Sequence, residues 1–367
     1  MTQYYCSECH KKYPIEATRW KCNCGSLLSL LPTEHDTSND SWTNSRSIWR
    51  YASSMIGEEY IREFPSVTLG EGQTPLLALD ETDGAPYVKV DFMMPTLSFK
   101  DRGAAVLVTV AKGLEVKKLI ADSSGNAGTA IAAYSARAGI ECDVYVSADT
   151  SPSKLAQIKA HGATIQSIKG TREDVAAAAQ LAVEKEQTFY ASHVYNPFFY
   201  EGTKTYAYEL FEQLGKAPDT VIVPVGNGTL VLGVYKGFTD LLAMKKIQKM
   251  PKIVAVQATR CAPLAKAYED GQPLAEAVIN EGTVAEGIAI AAPARSKEIL
   301  EAVRKTNGTI LTIDEEEIVQ ARTTLAEKGF YVEITSAINY AGYVHYAKTP
   351  NEVIVIALCG AGIKTPI

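Results

Sequence analysis

No apolar run in this chain of 367 residues approaches the roughly 18 residues that span a bilayer. No cluster of lysine and arginine is dense enough to follow a phosphate backbone. The 36 basic residues are outnumbered by 42 acidic ones, giving a net charge of −6, so nothing in the balance favours nucleic acid. The start, MTQYYCSECH, has neither the positive n-region nor the apolar h-region of a secretory signal, and the expected location is cytoplasmic. Internal repeats and low-complexity segments are missing. So are the Gly pattern of dinucleotide-binding turns and the P-loop. Seven cysteines are too few to staple a chain of this size with disulfides. The 46% hydrophobic and 21% charged content is that of an ordinary globular protein. The length allows two domains with their own cores, or one large α/β domain with an appendage.

The cysteines that are present divide unevenly. Cys6, Cys9, Cys22 and Cys24 crowd into the start, while Cys142, Cys261 and Cys359 are scattered. Two close pairs separated by about a hairpin's length suit four thiolates arranged tetrahedrally on Zn²⁺. Such an ion would fix a segment too short to fold on its own core. The second pair is C-x-C, not C-x-x-C, and a metal-free cysteine-rich tail is the competing reading. Four protein ligands leave no open position, so the expected metal is structural. Residues 32–42, PTEHDTSNDSW, are polar and read as a linker.

From residue 85 onward short β-branched runs alternate with helical stretches. Strands are expected at 86–90, 118–121, 142–148, 220–225, 252–258 and 351–358. Helices are expected at 127–139, 172–187, 204–215 and 314–329, where apolar residues recur at helical spacing. The alternation implies mostly parallel sheet covered by helices on both faces. Ligands of such sheets gather beyond the carboxyl ends of the strands. Three loops in that position are rich in glycine: DSSGNAGTA (122–130), PVGNGTLVLG (224–233) and LCGAG (358–362). Their backbone N–H groups at helix starts or tight turns are suited to anions. Upstream stands LSFKDRG (97–103), whose Lys100 is either a solvated helix-start lysine or one that bonds covalently to a partner.

The segments LGEGQTPLL (69–77), PTLSFKDRG (95–103), SSGNAG (123–128), PVGNG (224–228), TVAEGIAI (283–290) and YVEITSA (331–337) occur in an order that resembles pyridoxal-phosphate enzymes of the tryptophan-synthase-β class. Among these the chain looks most like threonine synthases. The resemblance covers nearly everything after residue 65, and the cysteine-rich head as well. It implies fold type II: two open, mostly parallel sheets with helices on both faces, plus the short N-terminal knuckle. The implied domains are a knuckle at 1–31, a large cofactor-binding domain of 32–103 and 205–367, and a small domain of 104–204 carrying the asparagine loop. It also implies that Lys100 forms the internal aldimine with pyridoxal 5′-phosphate and moves protons between substrate carbons, a role open to an amine whose pKa is lowered by burial.

The resemblance places Asn126 at the cofactor's ring hydroxyl. Gly226, Asn227, Gly228 and Thr229 fall around its phosphate. Cys359 falls opposite the pyridine nitrogen, where threonine or serine is usual, although a buried small apolar role is open to it as well. Ser123, Ser124, Gly125 and Ala127 fall on the loop that holds the substrate carboxylate, and plain N-capping is compatible with that role. The substrate implied is a small amino acid and the assembly a homodimer.

Departures from the family pattern lie in ASHVYNPFFYEGTKT (191–205). His193 and Val194 stand where an Asn-Ser pair is usual, Phe199 replaces the arginine that grips the phosphate of O-phosphohomoserine, and Thr203 replaces a glutamine. Met94 and Leu97 stand where Asn and Gly are usual. A guanidinium–phosphate contact is worth a few kcal/mol, so its loss bears on the substrate. His193 is open both as a substrate ligand and as a structural histidine. The expected activity is therefore that of threonine synthase: elimination of phosphate from O-phosphohomoserine and addition of water. The alternative is β-elimination or β-replacement on serine-, threonine- or phosphoserine-like amino acids, as in ammonia-lyases or cysteate synthase-like enzymes. A reading of another class is a non-catalytic binding protein that uses the knuckle for partners.

Overall fold

The aliphatic runs become the strands of two parallel sheets, each in its own unit of chain. The structure is a computed structural model in which residues 2–31, 42–55 and 66–364 are described; the polar stretch 32–42 lies, except for Trp42, outside them. By backbone proximity one unit comprises the described residues up to Gly72 together with Lys100–Gly202, and the other comprises Gln73–Phe99 and the described residues from Thr203 onward. This division departs from the expected one. Residues 2–31 do not stand apart, and the described residues up to Gly72 group with the smaller sheet. The reason is packing: Tyr4, Cys6, Cys22 and Leu28 share one core with Ala104–Val108, Phe198 and Phe199, and a segment with strands of 2 residues each has no core of its own.

In the first unit the strands Thr164–Ile168, Glu141–Ser147, Lys118–Ala121 and Phe189–Tyr190 lie side by side in that order, all parallel. The helices Asn126–Ala138, Pro152–Ala160 and Arg172–Glu186 make the crossovers. The last of them starts with a capping box between Thr171 and Asp174. Lys100–Gly113 is a further helix, buried from Asp101 through Ala111. Because it is buried all round, it shows no amphipathic stripe. The knuckle is a three-stranded antiparallel sheet of Lys12–Tyr13, Tyr4–Tyr5 and Ser29–Leu30.

In the second unit the order is Thr309–Ile313, Lys252–Ala258, Thr220–Pro224, Ile354–Leu358, Tyr87–Val90 and Leu76–Ala78. Only the last pairs antiparallel. Its core joins Ile222, Val254, Val256, Ile338 and Ile356. The fold class is the expected one, and the named strands and helices form close to their expected limits. The strand expected at 351 begins at Ile354 because Asn351 takes a left-handed turn with φ 62°, and the Glu352 carboxylate bonds the Thr349 N–H. Among the described residues no helix is long and apolar enough to cross a membrane.

Candidate active site

Parallel sheets bring their carboxyl ends to one edge, which is where the motifs fall. In the first unit the neighbouring strands Lys118–Ala121 and Phe189–Tyr190, with Ile120 beside Tyr190, feed two loops at that edge. One is 122–125, leading into the helix Asn126–Ala138; the other carries Ser192 and His193. Gly125 is the N-cap and offers no side chain, so the first N–H groups of the helix depend on partners other than a cap. Gly128 permits the tight return of this loop, since a Cβ there would fall 1.8 Å from the Ser123 carbonyl oxygen. Ser123, Ser124 and Asn126 are half-buried, Gly125 is exposed and Ala127 is buried.

The same helix is held from behind. Tyr134 donates to the Glu71 carboxylate at 2.9 Å, which also accepts from the Leu69 N–H at 2.9 Å and from Thr68 Oγ1 at 3.1 Å. Glu71 is fully buried, and that burial raises its pKa. The motif LGEGQTPLL thus anchors the asparagine loop through Glu71.

Lys100 opens the helix Lys100–Gly113. Its Nζ lies 5.7 Å from the centre of the Phe199 ring, and that ring is 6.0 Å from the His193 ring. The structure therefore brings together Lys100, His193 and Phe199. The ring sits tightly against the helix: a Cβ on Gly103 would come within 2.4 Å of it. His193 is buried, at 6% exposure. Its pKa is held well below the ordinary 6.5, by burial first and then by the charges of Lys100 and Arg172. It is a neutral imidazole at neutral pH. Arg172, at the start of the helix Arg172–Glu186, is a charge near this edge that the sequence motifs do not flag.

In the second unit Thr220–Pro224 and Ile354–Leu358 are neighbours, so the loop 225–228 and Cys359 leave one sheet edge side by side. Gly228 caps the helix Thr229–Ala243 with φ 76°, and a Cβ on it would lie 2.3 Å from Ile299 Cδ1. A Cβ on Gly226 would lie 2.8 Å from Ile290 Cγ1. These two glycines are required by packing, and Gly228 also by backbone conformation. Thr229 is buried and Asn227 half-buried.

Cys359 is 2% exposed. Its N–H and that of Gly360 both donate to Ser336 Oγ at 2.9 Å, and its carbonyl accepts from the Phe99 N–H at 2.9 Å. Ser336 is a residue the sequence reading missed, although YVEITSA contains it. Leu97, where the family pattern has glycine, has φ 62°; the backbone keeps the conformation that favours glycine, with a leucine in it.

A family described as "Pyridoxal-phosphate dependent enzyme" matches residues 67–360. The threonine synthase of Methanosarcina acetivorans is 35% identical over 92% of this chain and 85% of that protein. That of Methanocaldococcus jannaschii is 34% identical over 98% of this chain and 92% of that protein. The chain belongs to the threonine synthase family of pyridoxal-phosphate-dependent enzymes. Among solved structures, threonine deaminase isoform 2 from Solanum lycopersicum matches with a TM-score of 0.70 at 22% identity, over 90% of this chain and 89% of that one. Maize serine racemase also matches at 0.70, with 21% identity over 79% and 88% of the two chains. These likenesses concern the fold. As a threonine synthase-family enzyme the chain has pyridoxal 5′-phosphate as its cofactor, and the non-catalytic reading has no support. The departures at His193, Val194 and Phe199 thus belong to a recognised member of the family, and they lie on the segment packed against Lys100.

Proposed function

We propose that this enzyme is a threonine synthase, which converts O-phospho-L-homoserine and water into L-threonine and phosphate. The observation that carries the reading is the extent of likeness to proteins of that name, which spans 98% of the chain in one case. When bound, the cofactor supplies electron withdrawal that acidifies carbon–hydrogen bonds of the attached amino acid. Lys100 is its covalent attachment point and moves protons at the substrate's carbon atoms. Asn126 meets the ring hydroxyl, and Gly226, Asn227, Gly228 and Thr229 hold the phosphate group. Support for the latter is the bare backbone at Gly226 and Gly228, where any Cβ collides, before the N–H groups of a helix start. Cys359 stands at the pyridine nitrogen. Ser123, Ser124 and the N–H groups of Gly125 and Ala127 hold the substrate carboxylate, for which hydroxyls and a helix start are chemically apt. His193, neutral and beside Phe199, contacts the substrate's far end. A homodimer acting on a small amino acid in the cytoplasm, with no nucleic-acid partner, completes the reading.

One observation favours a second reading. Phe199 is fully buried where a phosphate-binding arginine is usual, and an apolar ring there suits a smaller or uncharged leaving group, as in β-elimination from serine or threonine. The experiment is incubation of cofactor-loaded protein with O-phospho-L-homoserine, measuring phosphate and threonine. Equal release of both is the expected result. Absence of both, together with 2-oxo acid formed from serine or threonine, would overturn the first reading in favour of the second.

A further inference from the structure

The knuckle is not an appendage. Its four sulfurs, on Cys6, Cys9, Cys22 and Cys24, all lie within 4.8 Å of one another. Cys6 and Cys24 are 3.6 Å apart and Cys9 and Cys22 3.3 Å apart. Four sulfurs bonded tetrahedrally to Zn²⁺ at about 2.3 Å are separated by about 3.8 Å, so the set needs only small adjustments to take the ion. A soft, all-thiolate donor set is one that zinc favours. The Tyr13 hydroxyl, 3.1 Å from Cys22 Sγ, supplies the outer hydrogen bond that orients a ligand.

What the knuckle touches gives this site a purpose. Trp20, two residues before Cys22, lies edge-on to Tyr190 at 5.2 Å and to Tyr195 at 5.4 Å. Tyr4, two residues before Cys6, lies edge-on to Phe198 at 5.9 Å. Lys21 pairs with Glu184 at 2.6 Å, on the helix that precedes the same segment. Each contact is made by a residue one or two places from a cysteine, and the rings contacted belong to residues 190–198. That stretch contains His193 and leads into Phe199.

We propose that Cys6, Cys9, Cys22 and Cys24 bind one Zn²⁺, and that the metal, by fixing Trp20 and Tyr4, holds the segment 190–199 in register against Lys100. The knuckle is then a positioning element for the substrate's far end. That this segment meets substrate rests on the function proposed above; the metal and its hold on the segment do not.

The test uses the full-length, cofactor-loaded enzyme. Elemental analysis is expected to give one zinc per chain, and Cys9→Ser/Cys24→Ser to abolish it. In that variant, amide hydrogen exchange across residues 189–200 is expected to quicken roughly tenfold, as for a segment released from its packing. Should it fail to fold, Trp20→Ala decides. It retains zinc, but its exchange in 189–200 quickens and KM for the amino-acid substrate rises more than kcat falls, with the cofactor's absorption spectrum unchanged. Absence of zinc overturns the metal site. Exchange unchanged in Trp20→Ala overturns the hold. Faster exchange with KM unmoved keeps both but removes the segment from the substrate, and that failure belongs to the functional reading.

Discussion

Between the strand Thr220–Pro224 and its helix, two glycines keep side chains out of the way; from Tyr190 to Tyr200, five tyrosine and phenylalanine rings take up the space. The first loop is constrained in form, since a Cβ on Gly226 or Gly228 would run into Ile290 or Ile299. The second is filled with rings that pack on the knuckle on one side and on the Lys100 helix on the other, and it departs from the family pattern. The contrast teaches where such an enzyme has freedom. A loop whose missing Cβ positions are already filled by neighbouring isoleucines is fixed by sterics. A loop that presents side chains can exchange them, provided the volume stays filled.

The largest effect expected from testing this contrast is on the filled side. Phe199→Ala removes a fully buried ring and should destabilise the first unit by about 3–5 kcal/mol, read by denaturant unfolding; a loss below ~1 kcal/mol would mean the ring is not a packing element. On the bare side, Gly228→Ala forces alanine into φ 76° against Ile299. A cost of about 2 kcal/mol would weaken cofactor retention by roughly thirtyfold, measured by cofactor titration. Unchanged retention would show that the loop has room after all.

A pH experiment sharpens the role of His193. Its folded pKa lies below 6.5, so as pH falls through 6.5 the unfolded chain takes up a proton that the folded one refuses. Stability is thus fully present above pH 6.5 and declines below it. His193→Gln should remove about 1–2 kcal/mol of the acid-side loss between pH 7 and pH 5, seen by comparing unfolding free energies at the two pH values. Identical pH slopes in parent and variant would show that the imidazole is solvated. The smallest effect is at Leu97. Releasing leucine from φ 62° by Leu97→Gly gains about 1–2 kcal/mol of backbone strain and gives back ~0.5–1 in chain entropy, for a net rise of roughly half a kcal/mol, visible as a slightly higher Tm.

Much of this was legible in the residues. Runs such as KLIA and KIVAVQA form the strands Lys118–Ala121 and Lys252–Ala258, because uninterrupted aliphatic stretches of that length suit a sheet buried on both faces. The helix Lys100–Gly113 was not, because it is buried on nearly all sides and a helix without an exposed polar face has no period to read. The strand Thr164–Ile168, at a sheet edge and nowhere fully buried, gives too weak a pattern to find. The glycine loops were found because a φ above zero and a missing Cβ leave a mark in composition. The pairing of Lys100 with Phe199 was not, since nothing local in either segment encodes the other.

Tyr4 packs on Phe198, and this has a bearing on how the chain is made. Tyr4 leaves the ribosome long before its partner ring exists, an interval on the order of ten to forty seconds at ordinary rates of translation. During that time the four nearby cysteines are the groups best able to organise the knuckle. If the knuckle binds zinc as proposed above, a cell short of zinc would produce a chain whose earliest-made segment is unprepared when Phe198 arrives, and the shortage would be felt as a lower yield of finished enzyme before any change in its catalysis.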